Sequence, residues 1–249
     1  MSPDDLEALG FGQVGSVDTP RGTMRYLKQG LGSWRWETIL TKEPETIEWI
    51  ESFVVGEEMW DIGANVGIYG LYAALGGIRV LAFEPHFANY FQLCANIVLN
   101  NLQDRVTPYC LAFSDRRRLS TINLAELRFG SALSTFDGDL DCRGEPYQIA
   151  FRQGMLGYSL DQFIADFGAR TPDHIKIDVD GLELQIVLGG RDLLSDVRLK
   201  SVSIELIDTD AAQVDGVNDA MAQSGLAFVH KKQDPQWNND ILNFLYRRP

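Results

Sequence analysis

Two hydrophobic periods alternate along most of this chain, and together they predict an alternation of strands and helices. From residue 59 onward, short apolar runs of strand length are followed by segments in which apolar residues recur every three or four positions. The predicted strands are 59–62, 78–84, 105–112, 174–179, 200–207, 226–231 and 240–247, and the predicted helices are 67–75, 87–100, 160–167, 182–188 and 214–224. This order is typical of an α/β protein with a doubly wound, Rossmann-like sheet that is mostly parallel. No helix separates the last two strands, so we expect them to form an antiparallel hairpin at the C-terminal edge of the sheet.

The N-terminal part of the chain shows a different pattern. Residues 1–20 have little periodicity and predict a loose arm. Residues 23–40 predict a β-hairpin, in which Trp34 and Trp36 alternate onto one face of the second strand. Pro44 predicts the start of a helix, because the first helical turn does not need the N–H that proline lacks.

These patterns predict an N-terminal extension, residues 1–55, packed on a main domain, residues 56–249. Within the main domain, residues 116–158 interrupt the alternation and are rich in Gly, Ser, Asp and Arg. Strand-like pieces occur there at 119–124 and 147–152. We therefore predict an irregular insertion, which together with the N-terminal hairpin helps to shape a ligand pocket.

The first strand of the main domain ends in a turn, D-I-G-A-N-V-G at 61–67, that is typical of nucleoside-binding α/β proteins. Gly63 has no Cβ and tolerates positive φ, so the backbone can turn sharply and approach a ligand. Gly67 lets the next helix start close to the strand. The second strand ends at Glu84, whose carboxylate can accept hydrogen bonds from two vicinal ribose hydroxyls. The alternative is an ordinary strand-to-helix turn that binds no ligand. We favour it less because Asp61, Asn65 and Glu84 accompany the glycines at the expected positions.

The spacing of the glycines distinguishes between classes of nucleoside ligand. Dinucleotide-binding folds use G-x-G-x-x-G, in which the second glycine makes room for a pyrophosphate at a helix N-terminus. Here the spacing is Gly63-x-x-x-Gly67, and the negative charge of Asp61 at the mouth of the turn would oppose a pyrophosphate. A cationic ligand with an amino group is favoured instead. S-adenosylmethionine fits, because it carries a sulfonium, an ammonium, a ribose and an adenine but no phosphate.

Carboxylates stand at five successive strand ends of the predicted sheet. Ligands of doubly wound sheets bind beyond the carboxyl ends of the strands, so we expect these side chains to meet. Any one of them could serve only as a helix N-cap, but the whole set indicates a ligand site. Clustered carboxylates repel unless a cationic ligand, a metal or a shared proton offsets their charge. The strand-end groups are Asp61, Glu84, Ser114 with Asp115, Asp178 with Asp180, and Glu205 with Asp208.

Several short motifs follow one another along residues 41–207. They are E-P-E-T-I-E-W-I (43–50), W-D-I-G-A-N-V-G-I-Y (60–69), F-E-P (83–85), N-x-x-x-N (96–100), K-I-D-V-D-G-x-E-L (176–184) and S-I-E-L (203–206). In these motifs and their order the chain resembles the FkbM family of S-adenosylmethionine-dependent methyltransferases. The family usually has Glu where this chain has Asp180, so the carboxylate is kept with a shorter reach.

The resemblance implies a class I methyltransferase fold and methylation of a hydroxyl oxygen on a sugar, a polyketide or another small metabolite. It also implies roles for individual residues. Asp61, Gly63, Asn65 and Gly67 would line the methionine side of the cofactor, Glu84 would hold the ribose with Pro85 in the same site, Ser114 and Asp115 would lie near the adenine, and Asp178, Asp180, Glu183 and Glu205 would face the substrate.

Methyl transfer to a hydroxyl requires removal of its proton, and two routes are open. Asp178 or Asp180 could act as the general base. Alternatively, Asp178, Asp180 and Glu205 could hold a Mg²⁺ ion that lowers the pKa of the hydroxyl. We favour the metal-free route, because Asp180 precedes a predicted helix and would be used in capping it.

Two other classes of protein could carry a similar sheet. An NAD(P)-dependent oxidoreductase would use G-x-G-x-x-G, which is missing, and would not place Asp61 at the turn. A non-catalytic nucleoside-binding module could keep the fold and lose turnover, but the intact Asp61, Glu84 and Asp178 argue against such decay, and an activity assay decides. Methylation of a hydroxyl therefore remains the favoured hypothesis.

Charge and composition narrow the expected partners. A net charge of −13 argues against nucleic acid as a substrate, since proteins that grip a phosphate backbone usually show a basic face. No apolar run approaches the roughly 20 residues that span a bilayer, and the acidic N-terminus has no hydrophobic signal region. We therefore expect a cytoplasmic protein whose partner is a small-molecule or glycan hydroxyl acceptor. The sequence does not predict an oligomeric state.

The three cysteines, Cys94, Cys110 and Cys142, lack C-x-x-C spacing and suit a reducing compartment. Cys94 and Cys110 fall on apolar periods, so we expect them to behave as small buried hydrophobes. The predicted inner face of helix 87–100 is formed by Phe87, Tyr90, Phe91, Cys94, Ile97 and Val98.

Overall fold

The structure is a computed structural model that describes residues 12–232 and 240–249. Its strands are β1 (Val14–Thr19), β2 (Gly22–Leu27), β3 (Glu58–Ile62), β4 (Arg79–Phe83), β5 (Val106–Tyr109), β6 (Ala112–Phe113), β7 (Arg118–Leu124), β8 (Ser134–Phe136), β9 (Phe151–Tyr158), β10 (His174–Ile177), β11 (Ser201–Ile207), β12 (Ala227–Lys232) and β13 (Ile241–Arg247). Its helices are α1 (Gly32–Glu37), α2 (Pro44–Glu51), α3 (Ile68–Leu75), α4 (Phe87–Leu99), α5 (Leu160–Phe167), α6 (Glu183–Leu188), α7 (Arg191–Ser195) and α8 (Ala211–Gln223).

A seven-stranded sheet with the order β12-β13-β11-β10-β3-β4-β5 forms the centre of the fold. Neighbouring strands from β5 to β11 are parallel, and β13 runs antiparallel to both β11 and β12. Successive side chains of a strand point to opposite faces. Accordingly, Met59 packs in one apolar core and Trp60 in a second core across the sheet. The predicted doubly wound sheet and its antiparallel C-terminal hairpin are confirmed.

Three neighbouring strands end level with one another, which fixes the position of the site. Ile62 at the end of β3 pairs with Ile177 of β10 and with Phe83 of β4. The residues that follow these strands are therefore brought to one place on the edge of the sheet.

The predicted strand 105–112 is wrong as a single strand. β5 ends at Tyr109 on the edge of the main sheet, and β6 begins at Ala112 in a second sheet. A continuous apolar pattern does not reveal that the chain leaves one sheet for another. Ser114 and Asp115 consequently follow a strand of the second sheet, so they do not stand at a strand end of the main sheet.

The insertion forms a sheet where we predicted irregular structure. Strands β6, β9, β7 and β8 make a four-stranded sheet in that order. The predicted piece 119–124 coincides with β7, whereas the piece 147–152 lies mostly before β9. The sheet has its own small core of Ala112, Ile122, Leu124, Phe136 and Met155.

The N-terminal hairpin lies earlier in the chain than predicted. β1 pairs antiparallel with β2, so the loose arm predicted for residues 1–20 is wrong where β1 lies, and residues 1–11 are outside the described part. The second strand predicted within 23–40 is replaced by the helix α1. A helix of six residues is too short to display its own period, and two alternating tryptophans imitate a strand. In the helix Trp36 is fully buried, whereas Trp34 is 38% exposed.

The buried face of α4 carries amides instead of the predicted aromatic residues. Phe87 and Phe91 are largely exposed, whereas Gln92 and Asn96 are fully buried. The Asn96 side chain accepts from the Leu27 N–H (2.9 Å) and donates to a carbonyl in the turn after β3 (2.9 Å). Nε2 of Gln92 donates to the Leu27 carbonyl (2.7 Å). Buried amides need hydrogen-bond partners, and these bonds to Leu27 fasten the N-terminal hairpin to the main domain. Leu93 and Ile97 of the same helix pack in the apolar core.

The described residues contain three free thiols and no span that could cross a membrane. Cys110 is exposed, so the expectation that it is buried is wrong, and Cys94 is half-buried. Within residues 12–232 and 240–249, no helix combines the length and the apolar character that a bilayer crossing demands.

Candidate functional site

A cavity of about 310 Å³ lies beyond the carboxyl ends of the central strands. Its volume falls in the range of small-molecule sites, roughly 300–1,000 Å³. Both the main sheet and the N-terminal extension contribute to its wall. The lining includes Trp34, Arg35, Lys42, Glu43, Gly63, Asn65, Glu84, Pro85, Asn89, Ser131, Ala132, Leu133, Ser134, Asp178, Asp180 and Glu205.

Most of the predicted site residues meet at this cavity. Those that line it are Gly63, Asn65, Glu84, Pro85, Asp178, Asp180 and Glu205. Asp61 and Gly67 lie in the same turn without forming part of the lining. Ser114 and Asp115 are not brought to the cavity, because β6 has left the main sheet. Asp115 instead pairs with Arg118 on the second sheet.

The turn after β3 depends on a glycine because protein backbone approaches it closely. Gly63 has φ +83°, and a Cβ at this position would lie 1.8 Å from the carbonyl oxygen of Asp178. The group that requires glycine here is thus the backbone of Asp178, directly after β10, whereas the approach to a ligand stays a prediction. Gly67, at φ 91°, forms the N-cap of α3.

Glu84 is buried at the cavity and holds two backbone amides. One carboxylate oxygen accepts from the Asn65 N–H (2.7 Å) and the other from the His86 N–H (2.9 Å). Burial raises the pKa of Glu84 to about 7, although these two donors oppose the shift. Each carboxylate oxygen has a further lone pair that a ligand hydroxyl could use.

Asn65 presents a buried acceptor that is unpaired in the described structure. Its φ of 51° lies in the left-handed region, which asparagine tolerates better than most residues. Its Nδ2 donates to the Ser131 carbonyl (2.9 Å), while its Oδ1 is buried without a partner among residues 12–232 and 240–249. An unpaired buried acceptor is costly, so this oxygen marks a place where a ligand donor would be favourable.

Asp61 lies beneath the turn and carries a shifted pKa. Its Oδ2 accepts from the Gly70 N–H of α3 (3.1 Å), and the residue is 2% exposed. Burial raises the pKa of Asp61 to about 6, and the nearby Lys176 ammonium opposes this shift.

Three carboxylates form a compact cluster in the wall of the cavity. Oxygens of Glu43, Asp178 and Glu205 all lie within 4.8 Å of one another. Nζ of Lys42 lies 2.5 Å from Glu43, and Nζ of the buried Lys176 lies 2.5 Å from Asp178. The predicted metal-ligand set contained Asp180 in place of Glu43, whereas the structure groups Glu43 with the other two.

The members of this cluster differ in their protonation. Burial alone would raise the pKa of Asp178, but Lys176 outweighs it and the pKa falls to about 2. Lys42 and Lys176 likewise overcome burial to hold the pKa of Glu43 below its usual value. Burial raises the pKa of Glu205 far above its usual value, and the charges of Asp178 and Glu43 reinforce the shift. Glu205 is therefore the most basic carboxylate of the three.

Asp180 does not cap the helix that follows it. The N-cap of α6 is Leu182, and Oδ2 of Asp180 instead accepts from the backbone N–H groups of Leu133 (2.6 Å) and Ser134 (3.2 Å). Its backbone has φ 29°, and burial raises its pKa to about 6. The prediction that Asp180 caps the following helix is therefore wrong. Its carboxylate is nevertheless used in hydrogen bonds, to the backbone of Leu133 and Ser134.

Glu183 is buried behind the cavity and does not line it. Its carboxylate accepts from the Gly181 N–H (3.1 Å) and from Nε2 of Gln213 (3.0 Å). Burial raises its pKa to about 8. These bonds join the loop after β10 to α8, so the substrate-facing role implied for Glu183 has no support in its position.

We expect Glu183→Gln to change how stability depends on pH. The folded pKa of about 8 lies above the ordinary value of 4.5, so wild-type stability is full below pH 4.5 and is lost as the pH rises through 8. The slope contributed by this one group is at most about 1.4 kcal/mol per pH unit. In urea unfolding from pH 5 to 9, the free energy of unfolding of the variant, relative to that of the wild type, should increase up to pH 8. The same dependence of the free energy of unfolding on pH in both proteins would contradict this prediction. Glu48→Gln controls for the loss of a carboxylate, because the Glu48 side chain is 72% exposed.

The sequence reasoning missed several residues of the cavity. Glu43 stands in a motif that carries the family resemblance, but no role was assigned to it because it precedes the first strand of the main domain. Lys176 stands in the K-I-D motif, but alternation would place it opposite Ile175 and Ile177 on a polar face, whereas all four residues of β10 are buried. The residues 131–134 offered no signal, because irregular segments have no period that reveals what they cover.

The fold and the site together define a class of protein. A doubly wound sheet that carries a ribose-type carboxylate, a glycine turn without dinucleotide spacing and an acidic cavity is that of a Rossmann-like methyltransferase. Residues 61–233 match the model of the methyltransferase FkbM domain. The chain belongs to the FkbM methyltransferase family, which uses S-adenosylmethionine as methyl donor.

Individual relatives agree with this assignment. The 31-O-demethyl-FK506 methyltransferase FkbM of Streptomyces tacrolimicus is 28% identical over 186 residues, which cover 63% of this chain and 68% of that protein. The AMB antimetabolite synthetase AmbE of Pseudomonas aeruginosa is 26% identical over 213 residues, which cover 70% of this chain. The match spans 10% of the length of that synthetase.

A solved structure shares the fold. A protein of Clostridium thermocellum that is assigned as an rRNA methylase superimposes with a TM-score of 0.51 at 11% identity. The match covers 84% of this chain and 97% of that one. At this identity the similarity concerns the fold alone.

The residues of the cavity fit the methyl donor. Glu84 is a buried acceptor with lone pairs to spare, and the orphaned Oδ1 of Asn65 lies close by in the same wall. Both are acceptors, which suits a ligand with ribose hydroxyls and a cationic amino group. In the described lining, Asn65, Glu84 and the Gly63 turn would hold S-adenosylmethionine.

Proposed function

We propose that this methyltransferase transfers the methyl group to a hydroxyl oxygen of a small molecule or glycan. The observation that carries the proposal is the cluster of Glu43, Asp178 and Glu205 in the cavity wall. A hydroxyl must lose its proton as the new bond forms, and a carboxylate can accept it. The name of the Streptomyces relative, which specifies an O-demethyl compound, supports the same chemistry.

Within the cluster, we assign the role of general base to Glu205. Asp178 and Glu43 each have a lysine ammonium at 2.5 Å, which lowers their basicity. Asp180 is engaged by two backbone amides. In the part of the chain that the structure describes, no lysine or arginine forms an ion pair with Glu205, and burial raises its pKa although Lys42 and Lys176 oppose the shift. Once ionised, Glu205 is therefore the strongest base of the three carboxylates.

A metal-free reaction is favoured over one assisted by Mg²⁺. Hard divalent cations bind carboxylate oxygens, and the cluster has suitable ligands. However, the ammonium groups of Lys42 and Lys176 already lie against two of the three carboxylates, and a cation would have to displace them. Methyl transfer should therefore survive treatment with EDTA, and a loss that Mg²⁺ restores would contradict this assignment.

The division of labour across the cavity follows from these positions. Bound S-adenosylmethionine supplies a methyl group that its sulfonium has already activated. The Gly63 turn, Asn65 and Glu84 fix the orientation of the donor, while Glu205 takes the acceptor proton. Alignment of two bound molecules in this manner is a large part of the rate enhancement that such enzymes achieve.

The acceptor is expected to be uncharged or cationic and not a nucleic acid. The chain has a net charge of −13, and the acceptor side of the cavity has three carboxylates. A phosphate backbone would be repelled by this field.

The test is transfer of a radioactive methyl group from S-adenosylmethionine to a panel of sugars and hydroxylated polyketides. Product formation at oxygen is expected, with S-adenosylhomocysteine released in equal amount. A comparison of the thermal shifts caused by S-adenosylmethionine and by NAD(P) distinguishes a methyltransferase from an oxidoreductase. Stabilisation by NAD(P) and none by S-adenosylmethionine would overturn the proposal.

We also expect Glu84→Ala to weaken binding of S-adenosylhomocysteine. Loss of hydrogen bonds to a charged acceptor should cost about 1.5–3 kcal/mol of binding free energy. Isothermal titration calorimetry would measure the change, and Glu126→Ala, which removes a half-exposed carboxylate next to Arg128, is the matched control. Unchanged affinity in Glu84→Ala would show that the ribose does not lie against this carboxylate.

A further inference from the structure

A strap formed by residues 129–134 crosses the cavity and is tied down at both ends. Its residues 131–134 form part of the lining. At the start of the strap, the Phe129 carbonyl accepts from the Leu31 N–H (2.8 Å), and the Gly130 carbonyl accepts from Nε of Arg35 (2.8 Å). The N-terminal extension therefore supports the strap from outside.

The middle of the strap is tied to the donor side of the cavity. The Ser131 carbonyl accepts from Nδ2 of Asn65 (2.9 Å) and from Nδ2 of Asn89 (3.0 Å). Oγ of Ser131 lies 3.2 Å from Nε2 of His86. Since Asn65 also donates its backbone N–H to Glu84, a displacement of the strap would disturb the residues that hold the donor.

At the end of the strap, Ser134 begins β8 and pairs with Leu124 of β7, and one carboxylate oxygen holds the two residues where the strap enters this strand. Oδ2 of Asp180 accepts from the N–H groups of two consecutive residues, Leu133 at 2.6 Å and Ser134 at 3.2 Å. Leu133 has φ 63°, a conformation that costs free energy and persists only where the surroundings hold it. Asp180 thus supplies the contact that keeps the strained end of the strap against the cavity.

We infer that Asp180 is a positioning residue, which fixes the strap over the donor side of the cavity, and that it is not the catalytic base. What the two amides need from residue 180 is an acceptor oxygen, and a negative charge is not required. Asparagine supplies such an oxygen with nearly the same shape, whereas alanine supplies none. The inference goes beyond the proposed function, because it concerns the binding of the methyl donor. It does not depend on which molecule accepts the methyl group.

Two measurements on the 249-residue chain test the inference that Asp180 positions the strap. Hydrogen–deuterium exchange reports on the strap, and calorimetry measures the affinity for S-adenosylhomocysteine. In Asp180→Ala, exchange of the peptide that contains Leu133 and Ser134 should accelerate by about 5- to 30-fold, the change that corresponds to a lost hydrogen bond of about 1–2 kcal/mol. Affinity for S-adenosylhomocysteine should fall by a similar factor. Asp180→Asn should restore both quantities to within about threefold of the wild type.

Asp161 provides a matched control. It also accepts from two consecutive backbone amides, those of Asp192 (3.1 Å) and Leu193 (2.9 Å), but away from the cavity. Asp161→Ala should leave both the exchange of the strap and the affinity unchanged. The inference is overturned if Asp180→Ala leaves exchange at Leu133 and Ser134 unchanged, or if Asp180→Asn is as impaired as Asp180→Ala in both measurements.

Discussion

Glu205→Gln should reduce the rate of methyl transfer by about 100- to 10,000-fold, the usual contribution of a general base. The substitution keeps the shape of the side chain, but an amide cannot accept the proton of the acceptor hydroxyl. The turnover number, measured with an acceptor identified in the methyl-transfer panel, should carry the loss. Affinity for S-adenosylhomocysteine should stay at the wild-type value, because the residues proposed to hold the donor are Asn65, Glu84 and the Gly63 turn, and Glu205 is not among them.

The variant should not unfold, and this makes the result interpretable. Burial and two like charges raise the pKa of Glu205, so the folded protein favours an uncharged side chain at this position. Glutamine is uncharged and has nearly the same shape, so the melting temperature should not fall. Asp208→Asn is the matched control, since Asp208 follows the same strand and pairs with Lys231 outside the cavity. Full turnover in Glu205→Gln, with Asp208→Asn also active, would refute the assignment of the base.

Gly63→Ala should destabilise the protein by about 4 kcal/mol or more, which is exceptional for a single substitution. The added Cβ would lie 1.8 Å from the carbonyl oxygen of Asp178, and backbone atoms on both sides cannot yield cheaply. Positive φ adds about 1–2 kcal/mol for any residue with a Cβ. Urea or thermal unfolding would measure the loss.

Gly56→Ala separates the steric clash from the backbone conformation. Gly56 has φ +93°, close to the +83° of Gly63, but among residues 12–232 and 240–249 no heavy atom beyond its two chain neighbours lies within 4 Å of the position its Cβ would take. Gly56→Ala should therefore lower the free energy of unfolding only by the cost of positive φ, about 1–2 kcal/mol. Equal losses at the two positions would mean that the approach of Asp178 is not what requires glycine at 63.

The main sheet could be predicted from the sequence because each of its strands repeats one signal. Short segments rich in apolar residues stand between helical periods, as in β4 (R-V-L-A-F) and β11 (S-V-S-I-E-L-I). The turn at Gly63 and the carboxylate at Glu84 follow directly from those strand ends. For the same reason, most of the predicted site residues do line the cavity.

The rest could not be predicted, because it depends on contacts between distant segments. The position of Glu43 beside Glu205 is set by the packing of α2 against the sheet, which no local pattern encodes. The amide face of α4 was misjudged because Gln92 and Asn96 look like solvent-facing residues until their backbone partners are known. Ser114 was misplaced because the departure of β6 from the main sheet leaves the apolar pattern unchanged.

The place of β13 in the sheet sets the smallest piece of this chain that can be expected to fold. The family match ends at residue 233, yet β13 (Ile241–Arg247) lies between β11 and β12 and bonds to both. A fragment cut at the match boundary would leave the backbone groups of β11 and β12 that face β13 without their partners. It would also remove Phe244, Leu245 and Tyr246, which are all buried. Shortened versions for crystallisation or engineering should therefore keep the chain through Arg247.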